Sequence, residues 1–206
     1  MPWSTPDATR REALQRLMDG NARFVQGTPN HPNQDAKHRV LLRDGQAPTA
    51  AVVGCSDSRA SVELLFDQGF GDVFVIRNAG HVLGRSTQAS VEFAVQVLDV
   101  DVVFVLGHES CGAVGATVTY IQEGTELEGE MPILVELVQP HLEGASPEQD
   151  PVALHVCGTI EDLLESSPMV RAALDRGEVA VAGGVYGLKD GSVELVWSQD
   201  GGRHLG

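Results

Sequence analysis

The sequence predicts an α/β fold: a central, mostly parallel β-sheet flanked by helices and preceded by an N-terminal helical arm. Three observations carry this reading. Short apolar runs recur at TAAVV (49–53), VFVIR (73–77) and VVFVL (102–106), each the length of a buried strand. Between the second and third runs, Val91, Ala94, Val95 and Leu98 mark one face of a helix opening near Ser86. A strand–helix–strand unit of that kind makes parallel sheets. Finally, 206 residues suit one α/β domain with a single core, here divided into an N-terminal helix and arm (1–48) and the α/β core (49–206).

Taken in order, residues 6–26 place Leu14, Leu17, Met18, Asn21, Phe24 and Val25 at helical spacing, with Thr5 before Pro6 as a start signal and Gly27 as a stop. Residues 27–48 are polar, rich in His, Asn and Pro, and lack a sustained period. They read as an extended arm with a short helical stretch near 36–43, of the kind that wraps a neighbouring subunit. TAAVV then opens the core, ended by Gly54. Beyond VVFVL a second helix runs from Cys111 to Ile121. The acidic, glycine-bearing segments 123–130 and 144–150 are surface loops around an apolar helix at 133–138. Helices fit 152–165 and 169–176, the second opened by Pro168 and ended by Gly177. The segment EVAVAGGVYGLKDGSVELVW reads as two strands joined by a turn at Lys189-Asp190-Gly191.

Composition narrows the function. A net charge of −15, from 29 acidic against 14 basic residues, repels phosphate backbones and anionic headgroups; neither nucleic acid nor membrane is an expected partner. No apolar stretch follows a basic start, and none is long enough to span a bilayer, so the expected location is cytoplasmic. Three cysteines, Cys55, Cys111 and Cys157, argue against a disulfide framework and for metal binding, catalysis or core filling. The histidines outside the chemistry-bearing motifs, His31, His38, His81, His141, His155 and His204, are expected mostly to face solvent, although His81 follows Asn78-Ala79-Gly80 near the site end of a strand.

The chemistry-bearing residues stand just past strands. Cys55 follows the first apolar run, and His108 and Cys111 follow the third, so all three fall where open α/β sheets bind ligands. Two thiolates and an imidazole suit zinc, and three protein ligands leave a fourth tetrahedral position for water. Placement alone also fits buried core residues. Beside Cys55, Asp57 and Arg59 are spaced to form a bidentate ion pair.

The segments CSDSR (55–59) and HESCG (108–112) in this order resemble the paired signature of β-carbonic anhydrases. The similarity continues through FDQGFGDVFVIRNAGH (66–81), SVEFAV (90–95) and GGVYGLKDGSVEL (183–195), covering most of the chain from Leu14 onward. The resemblance implies zinc ligation by Cys55, His108 and Cys111, and an Asp57–Arg59 catalytic dyad. It also implies a substrate-orienting Gln46 and a carbon dioxide pocket walled by Phe74, Ala79 and Phe93 and adjoined by Gly112. It implies reversible hydration of carbon dioxide to bicarbonate in a homodimer or dimer of dimers, with Gln46 and Phe93 approaching the neighbouring subunit's zinc. Some relatives turn the same ligands to hydrolysis of carbonyl sulfide or carbon disulfide, and a noncatalytic zinc or bicarbonate scaffold is a third reading. Family members with a noncatalytic bicarbonate pocket use a tryptophan, an arginine and a tyrosine. Arg77 and Tyr186 match two of these, but Val52 stands at the tryptophan's position and lacks an indole N–H. The expected resting state therefore keeps Asp57 on Arg59.

Overall fold

The computed structural model describes residues 8–199 and 201–205; Thr5 and Pro6, the expected start signal, lie outside them. Six strands form one sheet in the order β2-β1-β3-β4-β5-β6: β1 (Ala50–Cys55), β2 (Val73–Asn78), β3 (Val102–His108), β4 (Ala180–Tyr186), β5 (Val193–Ser198) and β6 (Gly202–Arg203). The pairings β1–β2, β1–β3 and β3–β4 are parallel, and β5 and β6 add antiparallel. Strands β1, β3 and β4 are buried along their whole lengths. Strands covered on both faces read as continuous apolar runs rather than as alternation.

The strand period of two divides the core. Ala51, Val53, Val103, Val105 and Val181 face α4 (Arg85–Gln96), α6 (Pro132–Leu142), α7 (Pro151–Ser166) and α8 (Pro168–Asp175). On the other face, Ala50, Val52, Val102, Phe104, Leu106 and Ala182 meet α1 (Ala8–Val25) and α3 (Val62–Leu65). Asn21, on the predicted apolar face of α1, is buried but fully engaged. Its amide donates to the carbonyls of Leu65 (3.1 Å) and Gly191 (2.9 Å), and its Oδ1 accepts from Val193 N (2.8 Å). One polar side chain thus ties α1 to both α3 and β5.

The arm carries α2 (Ala36–Leu41), and its first part is fastened to its own chain. Asp67 accepts from Asn30 N and His31 N, both at 2.9 Å, while Asn33 Nδ2 donates to Asp72 (2.8 Å). Several sequence expectations are corrected. Cys55 and His108 are the last residues of β1 and β3 rather than following them, and Gly54 lies within β1. The parallel ladder extends one to two residues beyond the apolar runs because backbone pairing does not need an apolar side chain. Helix α3, the 3₁₀ turn Ala79–His81 and β6 are too short to leave a periodic signal. Cys157 is wholly buried. His81 and His155 are wholly buried as well, and His141 is largely so, with 7% of its side chain exposed. The solvent-facing expectation fails for these three because helix packing and hydrogen bonds, invisible in composition, enclose them. No described helix is long and apolar enough to cross a membrane.

Candidate metal centre and active site

The strand order makes the crevice. From β1 the chain moves outward to β2, then crosses to β3 on the opposite side of β1 and continues to β4. The carboxyl ends of β1 and β3 therefore flank a topological switch point, where helices diverge and leave room for a ligand. Cys55 ends β1, His108 ends β3, and Cys111 is the N-cap of α5 (Gly112–Glu123).

The ligand atoms of Cys55, His108 and Cys111 all lie within 4.8 Å of one another, and all three residues are buried. His108 Nδ1 is 2.9 Å from the Glu109 carbonyl. A carbonyl only accepts, so Nδ1 carries the proton and Nε2 presents a lone pair. That Nε2 is buried with no hydrogen-bond partner. A buried acceptor left unpaired beside two thiols costs free energy unless a cation meets it. Two sulfurs and an imidazole fit zinc, and a three-residue set leaves a tetrahedral position for solvent.

The Cys55 thiol is prepared for ionisation. Its largest influence is hydrogen bonding from the Cys111 thiol, which holds it well below the usual thiol range against the effect of burial. The backbone N–H groups of Gly80 (3.3 Å) and Asp57 (3.4 Å) act in the same direction. Cys111 is pushed up, first by Cys55 and then by burial. The two hydrogen-bonded sulfurs thus favour one negative charge between them, and a dication would draw the second proton off.

Asp57 sits against this triangle, with Oδ2 3.9 Å from His108 Nε2. Arg59 grips it in a fork: Nε donates to Oδ1 (2.9 Å), one terminal NH₂ donates to Oδ2 (2.7 Å), and the Arg59 backbone N–H also donates to Oδ1 (2.9 Å). These contacts hold the carboxyl well below the usual carboxylate range. The same guanidinium reaches the Ser110 carbonyl at 3.3 Å, linking the two motif loops. Arg77 adds a clamp that sequence spacing could not reveal, donating to the carbonyls of Cys55 (2.8 Å) and Asp57 (2.7 Å). Its partners are backbone oxygens, which every residue carries.

Of the remaining predicted residues, Ala79 and Gly112 lie beside the site. Ala79 directly precedes Gly80, and Gly112 follows Cys111 as the first residue of α5. Gln46, Phe74 and Phe93 are not brought to the metal triangle within one chain. Phe74 pairs with Ala51, four residues before Cys55, which at about 3.3 Å per residue is roughly 13 Å away along the sheet. Phe93 packs on Phe74, ring centroids 6.0 Å apart, and Gln46 precedes the opposite end of β1 from Cys55. Val52 is buried in mid-strand, while Arg77 is committed to its two carbonyls.

Comparisons with known proteins agree with this geometry. A family model described as carbonic anhydrase matches residues 50–193. A carbonic anhydrase of Mycolicibacterium smegmatis is 45% identical over 200 residues, covering 95% of each chain. Carbonic anhydrase 2 of Mycobacterium tuberculosis is 42% identical over 200 residues, again covering 95% of each. Among solved structures, a Coccomyxa β-carbonic anhydrase in complex with acetazolamide superposes with a TM-score of 0.67 at 27% identity, covering 89% of this chain and 86% of that one. Matches along nearly the whole length, together with a Cys–His–Cys triangle at the sheet's switch point, establish that the chain belongs to the β-carbonic anhydrase family.

Proposed function

We propose that the chain catalyses zinc-dependent, reversible hydration of carbon dioxide to bicarbonate and a proton, with Cys55, His108 and Cys111 as the zinc ligands and Asp57 and Arg59 as the catalytic dyad. The observation that carries this is the convergence of three buried donor atoms within 4.8 Å, with the ionised, arginine-gripped Asp57 beside them. Bound there, zinc would supply a Lewis acid that lowers the pKa of a coordinated water. Asp57 Oδ2 accepts a hydrogen bond from the attacking nucleophile and so aims its lone pair at the substrate carbon. Arg59 keeps that carboxylate charged and fixed. A protonated Asp57 would offer a donor where the mechanism needs an acceptor. Two thiolate ligands leave the metal less positive than three histidines would, which increases the weight on this alignment.

Carbonyl sulfide hydrolysis would use the same ligands, but nothing in the geometry favours it. A purely structural zinc site needs a closed ligand set, and three donor residues converge here among the described residues. Assembly as a homodimer or dimer of dimers fits the exposure of Phe93 (44%), Val40 (64%) and Leu41 (71%), and the separation of Gln46 from its own chain's metal triangle. A cytoplasmic location fits three unpaired thiols.

The test combines metal analysis with a carbon dioxide hydration assay before and after chelation. Close to one zinc per chain is expected, lost together with activity on chelation or on replacing Cys55, His108 or Cys111 with Ala. Full activity from protein with substoichiometric metal of every kind would remove zinc from the mechanism.

A further inference from the structure

Two histidines and an aspartate form a line behind the metal triangle that the mechanism above does not use. Asp162, on the outer side of α7 with 54% of its side chain exposed, lies 2.8 Å from His141 Nε2. His141 Nδ1, from α6, lies 2.7 Å from His155 Nδ1, and the ring centroids are 5.0 Å apart, so the rings meet edge to edge rather than stacking. His155 Nε2 reaches the carbonyl of Gly80 at 2.8 Å, and the N–H of Gly80 donates to Cys55 Sγ at 3.3 Å. The line runs from solvent to a metal ligand. Gly80 has φ +73 and an added Cβ would fall 2.7 Å from Ala113 Cβ, so only glycine fits there. Gly158 leaves the space for His141, because a Cβ there would lie 2.2 Å from the imidazole.

The partners fix the proton count. The Gly80 carbonyl only accepts, so His155 Nε2 must carry hydrogen. A carboxylate only accepts, so His141 Nε2 must carry hydrogen as well. Two bare nitrogens cannot face each other at 2.7 Å, so one more proton lies between the Nδ1 atoms. The chain as a whole thus holds one proton beyond two neutral rings and a carboxylate. The extra proton belongs to His141, whose Nε2 lies 2.8 Å from the Asp162 carboxylate, rather than to the wholly buried His155, whose Nε2 meets a neutral carbonyl.

We propose that Asp162, protonated His141 and neutral His155 are positioning residues that hold Gly80 so that its N–H donates to the Cys55 thiolate. The other titratable groups around the pair are His81, whose ring centroid lies 4.5 Å from that of His155, and His108 beyond it. His81 is fully buried and held well below the usual histidine range by burial, so it stays neutral. The inference rests on Cys55 being a metal ligand. Zinc content of the unaltered protein tests that separately, since the proton count stands without the metal.

The experiment uses histidine-labelled, zinc-loaded protein. Long-range ¹⁵N correlation spectra at pH 7 should show His141 protonated on both nitrogens and His155 protonated on Nε2 alone. In Asp162→Asn, which removes the charge beside His141, the fraction of His141 protonated on both nitrogens at pH 7 should fall. His155→Leu should release zinc to an excess of chromogenic chelator about tenfold faster. His155→Gln, whose amide can donate to Gly80 and accept from His141, should recover most of that difference. Two neutral rings at pH 7, or His155 protonated on Nδ1 alone, would overturn the proton assignment. Zinc release unchanged in His155→Leu, or equally fast in His155→Gln, would overturn the positioning role.

Discussion

The two residues of the dyad are unequal. Asp57 has 18% of its side chain exposed and Arg59 has 51%, so the carboxylate belongs to the crevice and the guanidinium to its rim. Asp57→Asn preserves the shape while removing the charge that accepts a hydrogen bond and attracts the fork of Arg59. This variant should retain zinc and lose on the order of a hundredfold or more in hydration rate, the usual cost of an aligned proton-handling group. Stopped-flow hydration alongside metal analysis separates the two effects, and a wild-type rate would exclude a catalytic role for Asp57. The pairing with Arg59 was legible in the sequence because two residues of separation suffice for it. The lone pair of His108 was not, because it depends on which carbonyl its other nitrogen meets.

At the scale of elements, the arm is held by Asp67, whose side chain is only 1% exposed. Burial pushes its carboxyl up, but the N–H groups of Asn30 and His31 and the guanidinium of Arg23, 2.7 Å away, outweigh that, and the net shift is downward. A folded value below the unfolded one, about 3.9, gives a stabilisation fully present above that pH and lost as pH falls through the folded value. Arg23→Ala should therefore cost about 1.5–3 kcal/mol at neutral pH, the contribution of a hydrogen bond to a charged group. The gap between variant and wild type should begin to narrow below about pH 4 and close as pH falls through the lower folded value of Asp67. Denaturant titrations at pH 7 and pH 3 read this directly, and an equal gap at both would place the cost elsewhere. The helix of the arm was predicted from Ala36–Arg43 and forms over Ala36–Leu41. Its anchoring was hidden, because Asp67 meets Arg23 across 44 residues of chain.

For the whole molecule, the open question is what completes the pocket. Gln46, Phe74 and Phe93 stand away from the metal triangle of their own chain, while Phe93 and Gln46 are exposed. A two-fold assembly sharing sites across its interface would bring such residues to a neighbour's metal. Sedimentation at assay concentration should show a dimer or a multiple of it, and Phe93→Glu, which places a charge on that surface, should shift the population toward monomer and lower activity with it. A fully active monomer would contradict the shared site.

The sequence by itself determined the sheet, because runs such as VVFVL are apolar at every position only when both faces of a strand are covered. It also pointed to the residues proposed to carry the chemistry, because CSDSR and HESCG are local strings whose members need no distant partner to be recognised. The tertiary structure alone decided what surrounds them. Strand order set β1 beside β3 and brought Cys55 within reach of His108 across 52 intervening positions. Helix packing buried His81, His141 and His155, which nothing in their neighbours' types had indicated, and aimed two backbone groups of Gly80 at opposite partners. Backbone donors and acceptors are the same at every residue, so only the folded chain can say which of them meet.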